Sequence, residues 1–214
     1  MALNLSVNEV LTTTRSVRKR LDLDKPVPRS VLMECLELAL QAPTGSNAQG
    51  WQWVFVEDAD KKKAIADIYL GNAKGYLSLP TPEYPEGDTR GERMEFVRDS
   101  ATYLAEHMHQ VPVLLIPCLQ GRVEQAPLLS ASFWASLFPA AWSFCLALRS
   151  RGLGSCWTTL HLLGDGEKQA AEVLGIPYDE HSQGGLFPIA YTKGTDFRPA
   201  KRLPAEAVTH WNSW

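Results

Sequence analysis

Apolar residues recur at intervals of three and four along much of the chain, which predicts a series of helices. The predicted helices begin at Ser6, Val31, Asp58 and Val97, cover residues 129–149 and run from Asp165 to Leu174. Three apolar runs predict buried strands at Trp53–Val56, Val111–Leu119 and Leu186–Tyr191. Pro112 and Pro117 favour an end or edge position for the second strand, because proline cannot donate a hydrogen bond to a neighbouring strand. The pattern predicts one α+β domain over residues 1–214, without internal repeats or linkers.

Two segments depart from this pattern. Residues 71–93 mix glycine, proline and both signs of charge with little periodicity, which is typical of a lid, a binding loop or a mobile insertion. Residues 193–214 form a polar, basic tail that nevertheless ends on Trp211 and Trp214. Two tryptophans in such a tail indicate that it packs on another surface.

The composition is that of an ordinary globular protein, with 214 residues, 45% of them hydrophobic and 21% charged. The net charge of -3 gives no general attraction to nucleic acid or to an anionic membrane, so neither is expected as a partner. Four cysteines lie in apolar surroundings without a CxxC pair, which favours reduced thiols and a cytoplasmic location. No signal peptide is recognisable at the N-terminus.

The stretch from Ala126 to Leu148 contains no charged residue, as a membrane-spanning helix would. Two prolines and four serines dilute its apolar character. An apolar helix can also be the buried axis of a fold or a subunit interface. We favour that interpretation over a membrane span.

Two polar segments are candidates for ligand binding. The segment Ala42–Gly50 concentrates turn-forming residues, so it can present backbone N–H groups, hydroxyls and an amide at the edge of a sheet. The segment Thr14–Arg20 carries four basic residues within six positions and could bind a phosphate through arginine forks and a serine hydroxyl. The simpler alternatives are a plain connecting loop for the first and a solvated charge cluster for the second.

The residues of several common chemistries are absent from the sequence. There is no GxSxG nucleophile elbow and no GxxxxGK[ST] phosphate loop. His107 and His109 are two residues apart, which suits a metal pair on a helix poorly, so no metal is expected. Cys156 and His161 could pair as nucleophile and base, but the apolar setting of Cys156 favours inert burial. An enzyme built from this chain would therefore take its reactive group from a cofactor.

Four motifs, in order, resemble the FMN-dependent nitroreductase family. They are Thr14-Arg15-Ser16-Val17-Arg18, Ala42-Pro43-Thr44-Gly45-Ser46-Asn47-Ala48-Gln49-Gly50-Trp51, Gly152-Leu153-Gly154-Ser155-Cys156-Trp157 and Lys201-Arg202-Leu203-Pro204. The resemblance implies a central mixed sheet flanked by helices, an intertwined homodimer with the long apolar helix in its interface, and FMN bound between the subunits. It also favours a tail that wraps the partner subunit over one that packs on its own.

The resemblance also implies roles for particular residues. Five residues would contact the flavin phosphate, ribityl chain or ring edge: Thr14, Arg15, Ser16, Arg18 and Arg202. Four residues of the partner subunit would line the isoalloxazine ring: Pro43, Thr44, Gly45 and Asn47. The turn of Trp157, Thr158 and Thr159 would approach the ring. Asn72 and Lys74 are weaker candidates. Thr14 and Gly50 stand where the family often has arginine and proline, and Arg20 replaces a residue that is usually apolar or aromatic.

The implied activity is a ping-pong oxidoreductase that takes hydride from NAD(P)H onto flavin N5 and passes it to a nitro-aromatic, a quinone or a similar acceptor. No catalytic side chain is needed, although Arg18 could stabilise the reduced flavin. One alternative is a protein that stores or senses FMN without turnover. Another is a related flavin enzyme, a reductive dehalogenase or a flavin-fragmenting type.

Overall fold

The computed structural model describes residues 2–80, 82–85, 88, 90–125 and 127–214. Four positions of the predicted lid at 71–93, residues 81, 86, 87 and 89, lie outside the described part. The helices are α1 (Val7–Thr13), α2 (Arg29–Ala39), α3 (Ala59–Leu77), α4 (Met94–His107), α5 (Ser130–Ala135), α6 (Phe138–Ser150) and α7 (Gly166–Leu174). The strands are β1 (Trp51–Val56), β2 (Val113–Gln120), β3 (Leu153–Ser155), β4 (His181–Gln183) and β5 (Phe187–Tyr191).

The strands form one sheet in the order β1-β2-β5-β3, with β4 also paired to β2. Every pairing between these strands is antiparallel. The parallel component of the expected mixed sheet is confined, within the described residues, to two isolated bridges, Ser16–Ser155 and Gly121–His181. The α+β class is confirmed, whereas a sheet with extensive parallel pairing is not what this chain forms by itself.

The predicted edge position of β2 is wrong, because this strand lies inside the sheet. Pro112 precedes the strand, and Pro117 falls between the stretches of β2 that pair with β5 and with β4. On that side the Pro117 carbonyl accepts a hydrogen bond from the Gly184 N–H at 2.8 Å. Pro117 therefore lies at the gap between β5 and β4, where its missing N–H costs the sheet no hydrogen bond between strands.

The sheet carries a hydrophobic layer on each face, because successive strand residues point to opposite sides. Along β2, Leu114 and Ile116 pack with Ile65 and Tyr69 of α3, and with Leu104 of α4. Between them, Leu115 points to the other face, where the side chains of α2 and α6 form the second layer. Both layers are anchored by fully buried side chains, so the sheet is a rigid support for the loops at its ends.

The uncharged stretch forms two helices and not one. Pro127–Ser150 is long and apolar enough to cross a membrane by length and composition, with a mean hydropathy of 1.4, but only 33% of its most apolar window is buried. The chain breaks between α5 and α6, and the longer α6 packs on α2. Leu128, Leu129 and Trp142 remain 98%, 63% and 44% exposed, so this region presents apolar surface outside the core.

Local signals placed several helix ends correctly. Ser6 and Glu9 form the predicted capping box, and the Asp58 carboxylate accepts the Lys61 N–H at the start of α3. The predicted loop at 71–93 is wrong over its first residues, because α3 continues to Leu77. Asn72 helps to hold this extension of α3 in place, because its side-chain amide donates hydrogen bonds to the carbonyls of Leu160 and Leu163. Asn72 thus holds the fold together, which argues against its weaker assignment to the flavin.

A buried polar network joins α7 to the sheet. The His161 ring is fully buried, and its Nε2 atom lies 3.2 Å from Gln183 Oε1. The Gln183 side-chain amide donates to the Glu167 backbone carbonyl, and the Gln183 backbone N–H donates to the Glu167 carboxylate. Arg122 also donates to that carboxylate. Because the Gln183 amide nitrogen is engaged, the Gln183 amide oxygen accepts a hydrogen bond from His161 Nε2–H. Burial lowers the pKa of His161 to about 4, against the weaker opposing effect of the Gln183 hydrogen bond.

This network predicts acid-sensitive folding. The unfolded His161 titrates near its ordinary pKa of 6.5 and the folded one near about 4, so the stabilisation is complete above pH 6.5 and is lost as pH falls toward 4. The free energy of unfolding of the holoprotein should drop by about 2 kcal/mol between pH 7.5 and 5, measured by urea titration. His161→Gln should flatten this dependence, while His210→Gln in the exposed tail should leave it unchanged. An equal pH dependence in all three proteins would contradict the assignment.

Candidate functional site

The basic N-terminal segment lies alongside β3. The Val17 N–H donates to the Ser155 carbonyl at 2.8 Å, next to the bridge between Ser16 and Ser155. Gly154 permits this approach, because a Cβ there would stand 2.7 Å from Thr192 Cγ2 and 2.9 Å from Val17 Cγ2. Two of the motifs identified in the sequence are therefore brought into direct contact.

A cleft of about 680 Å³ opens beside this segment. Five of the predicted site residues line it: Thr14, Arg15, Ser16, Arg18 and Arg202. The further cations in its described lining are Arg90, Arg93 and Lys201, and no acidic side chain is among the described lining residues. We refer to it as the basic cleft. Arg90 and Arg93 were missed by sequence reasoning, and their only local signal is a spacing of three residues just before α4. The cleft brings the two ends of the chain together around a strongly positive space.

Three arginines of the basic cleft have no carboxylate partner in the described part of the protein, whereas Arg90 is paired with Asp88 at 2.6 Å. Arg15 Nη1 donates to the Arg198 carbonyl at 2.7 Å, and no described carboxylate is within ion-pair distance of Arg15, Arg93 or Arg202. The pKa of Arg15 is lowered, first by partial burial and then by repulsion from Arg93 and Arg202. An anion bound among them would relieve that repulsion.

The predicted basic cluster thus divides into two parts. Lys19 pairs with Asp99, and Arg20 pairs with Asp196 while its Nε donates to the Lys193 carbonyl at 2.9 Å. These two residues are satisfied within the chain, as a solvated cluster would be. Arg15 and Arg18 instead line the basic cleft.

A second cavity of about 540 Å³ adjoins the basic cleft and shares Arg18, Met94 and Val97 with it. We call it the side pocket. Trp157, Thr158 and Thr159 line it, as the resemblance implied for residues near the ring. The Thr158 hydroxyl donates to Tyr69 Oη at 3.2 Å. The two cavities together bring eight of the twelve predicted site residues into one region.

The Trp157 turn is held rigidly. Trp157 Nε1 donates to the Gly184 carbonyl at 3.0 Å. Gly185 has a φ of 145° and its missing Cβ would lie 2.4 Å from Trp157 Nε1, so only glycine fits beside the indole. The pocket wall formed by residues 157–159 is therefore fixed by the sheet and not by a ligand.

The other four predicted residues, Pro43, Thr44, Gly45 and Asn47, line neither cavity of this chain. Their loop lies against α5, where the Gly45 N–H donates to Ser136 Oγ at 3.0 Å. Ser46, Asn47 and Gln49 all have a φ near 50°, a conformation that costs non-glycine residues energy. The loop is therefore strained and largely exposed, and it takes no part in either cavity of its own chain.

The tail is anchored at its base and free beyond it. Phe197 lies between two guanidinium groups, 4.2 Å from Arg20 and 5.0 Å from Arg149. Arg149, 5% exposed, also donates to Thr13 Oγ1 and to the Thr195 carbonyl. Beyond this anchor, residues 201–214 are all exposed, with Trp211 at 84% and Trp214 at 101%. Packing of the two tryptophans on their own subunit is therefore not observed.

Among the described residues of the two cavities, no side chain is poised as an acid, base or nucleophile. The Cys156 thiol is 2% exposed, and burial raises its pKa despite the nearby Arg18. Its proposed base, His161, is instead bonded to Gln183. Lys74 lies exposed on the last turns of α3 and lines neither cavity. The arrangement can bind an anionic, ring-bearing molecule, but its redox chemistry must come from a cofactor.

Comparison with known proteins places this geometry in a family. The model of the Nitroreductase family matches residues 11–191. An NADH dehydrogenase from Thermus thermophilus is 30% identical over 212 residues, covering 92% of this chain and 91% of that protein. An iodotyrosine deiodinase from Thermotoga neapolitana is 28% identical over 146 residues, 68% of this chain and 69% of its own length.

Solved structures agree on the fold. An FMN- and NADPH-dependent nitroreductase from Sphigopyxis sp. strain HMH has a TM-score of 0.70, with 24% identity, over 98% of this chain and 100% of that chain. The chain belongs to the Nitroreductase family, a family of flavin-dependent oxidoreductases, and has its α+β fold.

Proposed function

We propose that the protein is an FMN-dependent oxidoreductase that takes hydride from NAD(P)H and reduces a nitro-aromatic, a quinone or a similar acceptor by a ping-pong mechanism. The observation that carries the proposal is the basic cleft, which adjoins the side pocket beside residues 157–159 and in which Arg15, Arg93 and Arg202 have no described carboxylate partner. Buried, unpaired thiols at all four cysteines fit a cytoplasmic enzyme.

The basic cleft fits the phosphate of FMN. A phosphate monoester carries nearly two negative charges, and arginine forks bind its oxygens in pairs. Arg15 and Arg202 approach from opposite ends of the sequence, and Ser16 lines the same cleft. Because these groups close around a terminal phosphate, FMN suits the cleft better than FAD, whose adenylate would extend from the same point.

The remaining residues would orient the flavin ring and its substrates. Bound FMN would supply the hydride-transfer chemistry, which no side chain of this chain provides. Arg18 lines both cavities, so it would place positive charge between phosphate and ring. Trp157, Thr158 and Thr159 would set the position of the ring against the sheet. The apolar walls of the side pocket would exclude water from the acceptor.

A homodimer would complete the site. Pro43, Thr44, Gly45 and Asn47 lie on a strained, exposed loop away from their own chain's cavities, and would line the flavin of the partner. The exposed Leu128, Leu129 and Trp142 and the two tail tryptophans supply the apolar surface that such an interface needs.

The segment at 71–93 contributes to both cavities. Tyr84, Arg90 and Arg93 line the basic cleft, and Leu79, Pro80 and Pro82 line the side pocket. We therefore assign it a part in binding the cofactor as well as in gating the acceptor.

A reductive dehalogenase is the second candidate, favoured by the deiodinase relative. An amino-acid substrate would present an ammonium group, yet no described acidic side chain lines the side pocket. A storage or sensor protein is the third, and it needs the same cleft without turnover.

Anaerobic mixing of the holoprotein with NADPH or NADH separates these functions. After mixing, we expect the yellow absorbance of the flavin to bleach. It should return when nitrobenzene or a benzoquinone is added. A flavin that stays oxidised would exclude the proposed enzyme and favour the storage or sensor function. Bleaching that is reversed only by a halogenated phenol, with halide release, would favour the dehalogenase.

A further inference from the structure

The side pocket is mainly apolar, and the charged groups among its described lining residues are two guanidinium groups. Its walls include Leu79, Pro80, Pro82, Val97, Leu160 and Leu163, which suit an aromatic ring. Among the described residues that line it, Arg18 and Arg98 are the charged ones, and none is acidic. A pocket of this kind is electrostatically selective, because it favours an occupant with negative charge.

Arg98 is distinct from the cations assigned to the cofactor. Arg18 lines the basic cleft as well as the side pocket, whereas Arg98 lines the side pocket and not the basic cleft. On α4, Arg98 shares one face with Met94 and Ala101, which both line the side pocket, since residues three and four apart lie on the same side of a helix. Arg98 also borders a surface cavity with Glu95 and Asp99, although neither carboxylate is within ion-pair distance of it. It therefore lies beside the acceptor pocket and apart from the proposed phosphate site.

The Arg98 guanidinium is held in place but not neutralised within the described chain. Nη2 donates to the Leu79 carbonyl at 2.7 Å, which ties the group to the segment that closes the pocket. No described carboxylate is within ion-pair distance of it, and its neighbour Asp99 is bound by Lys19. A guanidinium has five N–H donors, so most of its hydrogen-bonding capacity remains for a ligand.

We infer that Arg98 determines acceptor specificity by selecting aromatic acceptors that carry a carboxylate or similar anionic substituent. The inference rests on the proposed function, because it names the substrate class of that site. The ring would lie on the apolar walls, and the substituent would bind the half-buried guanidinium, where a charge-assisted hydrogen bond is stronger than in water. A neutral analogue would leave the cation without a partner.

Paired acceptors test this in the holoprotein. We expect kcat/KM for 4-nitrobenzoate to exceed that for the isosteric 4-nitrobenzamide by tenfold or more, because only the carboxylate offers Arg98 an opposite charge. Arg98→Gln should bring the two values within about twofold, through KM for the nitrobenzoate. Arg98→Lys should keep part of the preference. Arg29→Gln, which removes a cation 84% exposed on α2, should change nothing.

A binding measurement separates this inference from the proposed function. Calorimetric titration of the oxidised holoprotein with 4-nitrobenzoate, without NAD(P)H, should show at least a tenfold weaker Kd in Arg98→Gln at unchanged flavin content. Binding that depends on Arg98 without any turnover would overturn the proposed enzyme and support this site. Reduction of both acceptors at equal efficiency by the wild type, or a preference that survives Arg98→Gln, would overturn the inference alone.

Discussion

Arg15→Ala and Arg202→Ala should each raise the Kd for FMN by about 10- to 100-fold, and the double variant should be purified almost colourless. Each substitution removes a charge-assisted hydrogen bond to the phosphate, worth roughly 1.5–3 kcal/mol. The flavin-to-protein absorbance ratio after dialysis measures the loss. Flavin released by heat from the wild type should chromatograph as FMN.

The apoprotein provides the control for this expectation. Arg202 is exposed and bonds only to the neighbouring Lys201 carbonyl in the described structure, so its removal should leave the melting temperature of the apoprotein unchanged. Arg29→Ala removes an equal charge far from the cleft and should retain the cofactor. Full flavin retention in the double variant, or released flavin that chromatographs as FAD, would contradict the assignment of the basic cleft.

Deleting residues 194–214 should weaken the proposed homodimer and abolish FMN binding together. The deletion removes Arg202 from the basic cleft and both exposed tryptophans from the proposed interface. Each tryptophan can bury roughly 150–250 Å², worth several kcal/mol together at about 25 cal/mol per Å² before the cost of ordering the tail. Light scattering and the absorbance spectrum measure the two losses.

A shorter deletion tests whether dimerisation and cofactor binding are coupled. Removal of residues 203–214 keeps Arg202 and the Phe197 anchor but takes away Trp211 and Trp214. If the partner's loop completes the flavin site, this variant should lose the dimer and bind FMN more weakly, although every residue of its own basic cleft is present. If the protein without residues 203–214 stays dimeric and fully yellow, these residues support neither dimerisation nor cofactor binding.

Short-range signals in the sequence were reliable wherever local chemistry decides the backbone. The Ser6–Glu9 capping box and the Asp58 cap mark helix ends because a side chain satisfies a free N–H a few residues away. The buried strands were likewise recognisable as apolar runs. Pro117 in β2 led to the wrong prediction of an edge strand. The missing N–H of a proline destabilises a sheet only where a partner strand would accept its hydrogen bond, and the partner strands of β2 come from far along the chain.

The long uncharged stretch shows the limit of composition. Its residues predicted an apolar helix but not the break between α5 and α6 or the exposed face that Leu128 and Trp142 present. Similarly, β3 and β4 are three-residue strands, too short to have a periodic pattern of their own. They form because longer strands offer them hydrogen-bonding partners.

By itself, the sequence determined the α+β class, most helix positions and the family motifs, since these depend on residue type and spacing along the chain. Only the tertiary structure decided which cations are neutralised and which are not. It paired Lys19 and Arg20 with carboxylates, gathered Arg15, Arg93 and Arg202 into one cleft, and set Arg98 in an apolar pocket. The reason is physical: an electrostatic site depends on distances between residues that the chain holds tens of positions apart, and the fold alone fixes those distances.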